Sequence, residues 1–273
     1  MPAMPDGGYV HGYDARESER LGDQAGALVD LLHHDTGYPR GSRVLEAGCG
    51  VGAQTVTLAA RSPGTQITSI DVSDASLAQA RARVAAAGLD NVAFRRADLF
   101  DLPFAPASFD HVFVCFVLEH LADPLGALAA LAAVLRPGGT ITVIEGDHGS
   151  AYFHPASAAA DAAIACLVQL QARAGGDALI GRRVYPLLDR AGFADIAVGP
   201  RVVYVDGARP DLIEAFTRRT FTAMVAGVRD AAIVAGLTTA ERFDAGIADL
   251  ERTAARDGTF NYTFFKGVGV RSG

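Results

Sequence analysis

From residue 42 to residue 147 the chain alternates short apolar runs with stretches of helical spacing, and this rhythm restricts the fold more than any other feature. Residues 43–47, 66–71, 92–97, 111–116 and 140–145 read as strands. Residues 53–61, about 73–87 and 123–135 read as helices. Ser73 or Asp74 is placed to cap the second helix, and Gly88 to stop it. Asp123 caps the third and Pro124 opens it. Strand alternating with helix predicts a parallel sheet with helices on both faces, because parallel neighbours need a crossover connection.

Beyond residue 148 the rhythm changes. Residues 155–174 and 181–191 read as helices, 194–198 and 202–206 as one long bent strand, 210–256 as mainly helical and 259–270 as a terminal strand. Near the start, Leu21, Ala25, Leu28, Leu31 and Leu32 recur at helical spacing. His33 and His34 then follow at that helix's end, where a cation is favoured. These segments make one α/β domain over residues 1–273. It divides into a helical lid (1–40), a core (41–148), helices with a sixth strand (149–206), a helical cap (207–256) and a final strand (257–273).

Composition removes several function classes. No apolar run spans a bilayer, and the opening residues lack a basic start followed by an apolar stretch, so a cytoplasmic protein without membrane insertion is expected. Cys49, Cys115 and Cys166 are odd in number and far apart, which suggests neither disulfides nor a zinc site. The net charge is −7, and Lys266 is the only lysine among scattered arginines and acids, so no nucleic-acid partner is expected. Asp147, His148 and His154 match no metal-ligand spacing, and no metal is expected. The Ala-rich stretches 155–174 and 222–236 suit either packing within the cap or a homodimer seam.

The stretch VLEAGCGVGA, residues 44–53, lies where an open parallel sheet binds ligands, outside the carboxyl end of a strand. Gly48, Gly50 and Gly52 fall as GxGxG, not as the dinucleotide fingerprint GxGxxG. Glu46 suits a positive amino group and not a pyrophosphate. Asp71 ends the second strand, where a carboxylate accepts ribose hydroxyls. Asp98 ends the third, where it can accept an adenine amino hydrogen. An amine, a ribose and an adenine without phosphate describe S-adenosylmethionine (SAM).

VLEAGCGVGAQT, SIDVS, RRADLFDLPF, FDHVFVCFVLEHL and LRPGGTITVIEG, in that order over residues 42–147, resemble class I SAM-dependent methyltransferases. Within them they are similar to the small-molecule branch typified by the ubiquinone/menaquinone-biosynthesis methyltransferases. The resemblance implies a Rossmann-like seven-stranded sheet, mostly parallel, with an antiparallel last strand. It implies a cofactor shell of Glu46, Gly48, Cys49, Gly50, Asp71, Val72, Asp98, Leu99 and Phe116, with S-adenosylhomocysteine (SAH) as product. In relatives an N-terminal helix closes over the cofactor. Tyr13 then either lies against the sulfonium or is an ordinary core residue, and Gln24 reaches the methionine end.

Candidate bases stand where the strands point at the pocket: His120 after strand four, and Glu145, Asp147 and His148 after strand five. Some natural-product O-methyltransferases of this branch pair a histidine after strand four with an acid ending strand five. The resemblance therefore points to His120 and Glu145 as base and orienter; in other members this histidine only shapes the pocket. Asp147 also suits turn chemistry. Tyr9, Tyr152, Phe153, Tyr185, Tyr204, Phe216, Phe221, Tyr262 and Phe264 are candidate walls for a small, mostly apolar acceptor.

Methyl transfer to such an acceptor in specialised metabolism, on oxygen or nitrogen, is the leading expectation. SAM-dependent C-methylation or a SAM-assisted cyclisation, with Glu119 or Glu145 stabilising a cation, is an alternative. An NAD-binding oxidoreductase lacks its third glycine and a YxxxK pair here. A non-catalytic SAM-binding scaffold would keep the same motifs.

Overall fold

The computed structural model describes residues 28–273. Seven strands form one sheet, here numbered in chain order: β1 Arg43–Ala47, β2 Gln66–Asp71, β3 Val92–Arg96, β4 Phe109–Cys115, β5 Leu135–His154, β6 Phe193–Asp206 and β7 Thr259–Arg271. Their order across the sheet is β3-β2-β1-β4-β5-β7-β6. The pairs β1–β2, β1–β4, β2–β3 and β4–β5 are parallel, and the last strand is antiparallel. The order reverses at β1, between β2 and β4, so the glycine loop leaves the sheet at its switch point.

Local chemistry sets the crossovers. The helix α1 Ala53–Arg61 starts at Gly52, whose left-handed backbone takes the N-cap position. The helix α2 Asp74–Ala86 is capped by Ser73, whose hydroxyl accepts the Ser76 N–H. Asp123 caps α3 Pro124–Val134 in the same way through the Gly126 N–H.

The chain divides into two compact units. One comprises residues 28–145, 180–201 and 265–273. Its core lies between the sheet and its helices, with Leu45, Ile70, Val112, Val114, Leu128, Leu131, Ile141 and Val143 fully or almost fully buried. Lys266 on β7 is buried in this unit. Its ammonium donates to the Leu32 carbonyl, to Asp35 Oδ1 and to Thr36 Oγ1. Burial alone would raise the Asp35 pKa, but the Lys266 ammonium and then Arg201 hold it down at about 2.

The other described unit comprises residues 146–179 and 202–264. The helix α4 Ala158–Arg173 is capped by Ser157, whose hydroxyl also donates to Asp249 on the helix Ala240–Arg252. Gly246 of that helix faces α4, where a Cβ would stand 2.9 Å from Ala163 Cβ, so the close approach requires glycine. Phe216, Phe221, Phe260, Tyr262 and Phe264 form an aromatic cluster beneath a π-helical stretch, Ile213–Thr222.

Three expectations change. The fifth strand runs on to His154 instead of ending at 145, because EGDHGS, although rich in turn formers, pairs with β7: the Thr263 N–H donates to Ser150 Oγ at 2.9 Å. The stretch 222–236 is two short helices, Ala223–Gly227 and Arg229–Val234, broken at Val228. His33 is not a cation at a helix end. Burial lowers its pKa to about 4, and its ring meets Gln54 Oε1 at 2.8 Å and Thr36 Oγ1 at 3.3 Å.

Candidate active site

Three glycines serve two purposes. Gly48 has φ +73, and a Cβ there would stand 2.6 Å from Val117 Cγ2. Gly52 has φ +78, and a Cβ would stand 2.8 Å from Ala80 Cα on α2. Both are required by protein packing. Gly50, at φ +51, differs: no heavy atom lies within 4 Å of its Cβ position. There the bare backbone faces open space that a ligand can fill. The N–H groups of Gly48 and Cys49 both donate to the Ile70 carbonyl at 2.9 Å, which ties the loop to the end of β2.

Asp71 ends β2 with its carboxylate already oriented. Oδ2 accepts the Gly50 N–H at 2.8 Å and Oδ1 accepts the Ser73 N–H at 2.9 Å. A carboxylate oxygen has two acceptor positions, so each retains one for a ligand hydroxyl. Asp98, just past β3, accepts the Phe100 N–H at 2.9 Å. It lies in a cleft of about 510 Å³ with Val72, Arg95, Arg96, Asp101 and Pro103. Val72 and Phe100, beside Asp71 and Asp98 in sequence, are 51% and 52% exposed, an apolar cost unless something flat covers them. Leu99 is buried beneath.

Glu46 is buried on β1, and Ser69 donates to its Oε2 at 2.5 Å. Burial pushes its pKa up to about 7, with the Asp71 charge adding to the shift. Cys49 is buried too. Its thiol is raised first by burial and then by the charges of Glu46 and Asp71, which makes it an inert packing group.

The turn after β4 carries the candidate base. Phe116 sits at φ +57, a strained backbone for a bulky side chain. Its N–H donates to the Ile144 carbonyl. Leu118–His120 then form one turn of 3-10 helix.

Here the expected pairing is corrected. Glu145 does not turn to His120: its Oε1 accepts the N–H groups of Val117 at 3.0 Å and Leu118 at 2.8 Å. The acid beside the imidazole is Glu119, with Oε1 3.6 Å from His120 Nε2, an ion-pair distance too long for a hydrogen bond. Glu119 is adjacent in sequence, and that adjacency on a tight turn was the available signal. The pairing of Glu145 with Val117 and Leu118 had no sequence signal, since backbone groups carry no residue identity.

His148, the third candidate base, belongs to the other unit. It is buried, its Nδ1 lies 2.7 Å from the Tyr262 hydroxyl, and its ring meets Phe221 edge-on. Asp147 Oδ1 accepts the Gly149 N–H, the local bond expected of it. Tyr152, Tyr185 and Tyr204 are exposed, whereas Phe216, Phe221, Tyr262 and Phe264 are buried. Tyr9, Tyr13 and Gln24 lie outside the described residues. Among the described residues no helix is long and apolar enough to cross a membrane.

The sheet order, the antiparallel last strand and the glycine loop at the switch point define the class I, Rossmann-like methyltransferase fold. Residues 45–143 match the family model described as a methyltransferase domain. Among curated proteins it is 34% identical over 134 residues to the 27-O-demethylrifamycin SV methyltransferase of Amycolatopsis mediterranei, covering 49% of each chain. It is 35% identical over 112 residues to the demethylmenaquinone methyltransferase of Staphylococcus aureus, covering 41% of this chain and 46% of that one. The alignments thus span about half of these relatives. Among solved structures, phosphoethanolamine N-methyltransferase 2 of Haemonchus contortus, in complex with phosphomonomethylethanolamine and S-adenosylhomocysteine, superposes with a TM-score of 0.56 at 18% identity, covering 92% of this chain and 53% of that one.

Proposed function

We propose that the chain transfers a methyl group from SAM to a small, mostly apolar organic acceptor, on oxygen or nitrogen, in specialised metabolism. The observation that carries this is Asp71, whose carboxylate accepts the N–H of Gly50 beside open space, with Asp98 in its cleft and buried Glu46 as further acceptors. These acids suit a ribose, an adenine amine and an ammonium better than a pyrophosphate. The acceptor class is supported by the matched rifamycin and menaquinone-precursor methyltransferases.

Bound SAM supplies a methyl group on a sulfonium that is already an activated leaving group. The chain's own residues hold, align and deprotonate. Asp71 takes the ribose hydroxyls, Asp98 the adenine amino group and Glu46 the ammonium. Cys49 and Leu99 pack under them, and Gly48, Val72 and Phe116 shape the walls. His120 takes the acceptor's proton, with Glu119 stabilising the imidazolium that results.

The reading is tested by titrating the purified chain calorimetrically with SAM and SAH. Micromolar binding is expected. No binding, with tight binding of NADH instead, would overturn it. With acceptor in hand from a product-mass screen of phenols, enols and amines, His120→Ala is expected to lower turnover about a hundredfold or more. The SAH dissociation constant should stay within about twofold. Unchanged turnover would remove His120 from the chemistry.

Glu46 predicts the pH dependence of binding. In the empty site its pKa is about 7, and an ammonium beside it stabilises the ionised form. The group is raised in the free protein and lowered in the complex, so binding releases protons and strengthens as pH rises. SAH should bind about tenfold more tightly near pH ~8 than near pH ~6. A flat profile would mean that Glu46 does not meet the amine.

A further inference from the structure

We propose that Glu145 is a positioning residue that works in its neutral form, holding the turn after β4 by its backbone, while Glu119 carries the negative charge of this carboxyl pair beside His120. This deepens the proposed function and depends on it only for the role of His120.

The geometry separates the two acids. Glu145 is fully buried. Its Oε1 is committed to two backbone donors, and its Oε2 is buried with no hydrogen-bond partner. An ionised oxygen in that position would be a desolvated charge that nothing meets, whereas a protonated one is a hydroxyl and costs far less. Glu119 has the setting for a charge, with the imidazole 3.6 Å away and some solvent access. Burial, followed by the Glu119 charge, holds the Glu145 pKa well above the usual carboxylate range.

The backbone N–H groups of Leu118, Val117 and Glu119 favour the ionised form, but burial and the Glu119 charge outweigh them, and among the described residues no charged side chain reverses this. Cys115, at the end of β4, is itself kept protonated by burial. His120 stands next to Glu119. Lys266 on β7 is committed to Asp35, Thr36 and the Leu32 carbonyl.

The position explains what Glu145 does. Phe116 is held in a left-handed backbone, and the next two N–H groups are the ones Glu145 accepts. Val117 fills the space left by the missing Cβ of Gly48. One neutral carboxyl on β5 therefore fixes the wall of the glycine loop and the turn that presents Glu119 and His120.

The test needs no acceptor. Glu145→Gln, Glu145→Ala and Glu119→Gln are compared with the unmodified chain by thermal unfolding from about pH 4 to about pH 9 and by infrared difference spectra of the unliganded protein. A folded pKa raised above the unfolded value of about 4.3 contributes stability that is lost as pH rises. The glutamine variant has no such loss, so its melting temperature minus that of the unmodified chain should grow more positive with pH. The unmodified chain should also show a protonated-carboxyl component, additional to that of Glu46, that persists above neutral pH and that Glu145→Gln lacks. An ionised Glu145 gives the opposite slope and no difference in band between the unmodified chain and Glu145→Gln, and would overturn the proposal.

SAH affinity should fall at least about tenfold in Glu145→Ala and no more than about threefold in Glu145→Gln. Equal losses in the two would overturn the neutral role. Should Glu145→Gln not fold, Glu119→Gln decides: the band should disappear at a lower pH than in the unmodified chain, and an unchanged midpoint overturns the proposal. Failure of the unmodified chain to bind SAH would sink the proposed function and leave the slope and the band as they are.

Discussion

Asp71→Ala is expected to weaken SAH binding about a hundredfold, because two hydrogen bonds to a charged acceptor contribute about 1.5 kcal/mol each and both disappear. The loss has a second component. Asp71 also accepts the N–H groups of Gly50 and Ser73, so its removal frees the glycine loop and the cap of α2 together. Asp71→Asn separates the two contributions. The amide oxygen still accepts one of these N–H groups, while its NH2 presents a donor where an acceptor stood. Calorimetric titration of both variants should therefore give a smaller loss for Asn than for Ala. Affinity within about threefold of the unmodified chain in Asp71→Ala would mean that the acid only shapes the loop, and the ribose contact would have to be sought elsewhere.

Gly52→Ala is expected to cost about 3 kcal/mol of stability without touching any ligand group, from roughly 1–2 kcal/mol for a left-handed alanine and roughly 1–3 for overpacking. The methyl would enter at 2.8 Å from Ala80 Cα, a backbone atom that cannot rotate away as a side-chain tip can. For a chain of this size the melting temperature should drop by about 8 °C. A drop below about 1 °C would show that α2 shifts freely against the loop, and the packing reason for this glycine would fail.

The part of the fold legible in the sequence is the part built from local signals. Ser73, Asp123 and Gly88 mark helix ends because caps and left-handed stops use particular side chains. The placement of the acids at residues 46, 71 and 98 at or just past strand ends was legible because strand ends recur in register with a strand–helix rhythm. The reach of β5 to His154 was not, since Gly146–Ser150 are turn formers by composition and become strand only through β7, more than a hundred residues away. The backbone partners of Glu145 were hidden for a related reason. A carboxylate at a strand end in sequence can face a side chain or a backbone, and only the left-handed turn at Phe116, itself a non-glycine surprise, turns the N–H groups of Val117 and Leu118 toward it.

The buried anchor on β7 has a chemical corollary. Lys266 is the chain's sole lysine, and its amine is enclosed by a carbonyl, a carboxylate and a hydroxyl. Acylating reagents, acetyl donors and amine-reactive surfaces thus have no exposed lysine to attack on the folded molecule. Modification of Lys266 requires that the strand and the Leu32–Thr36 segment first come apart, so the rate of its acylation is a clock for local opening there.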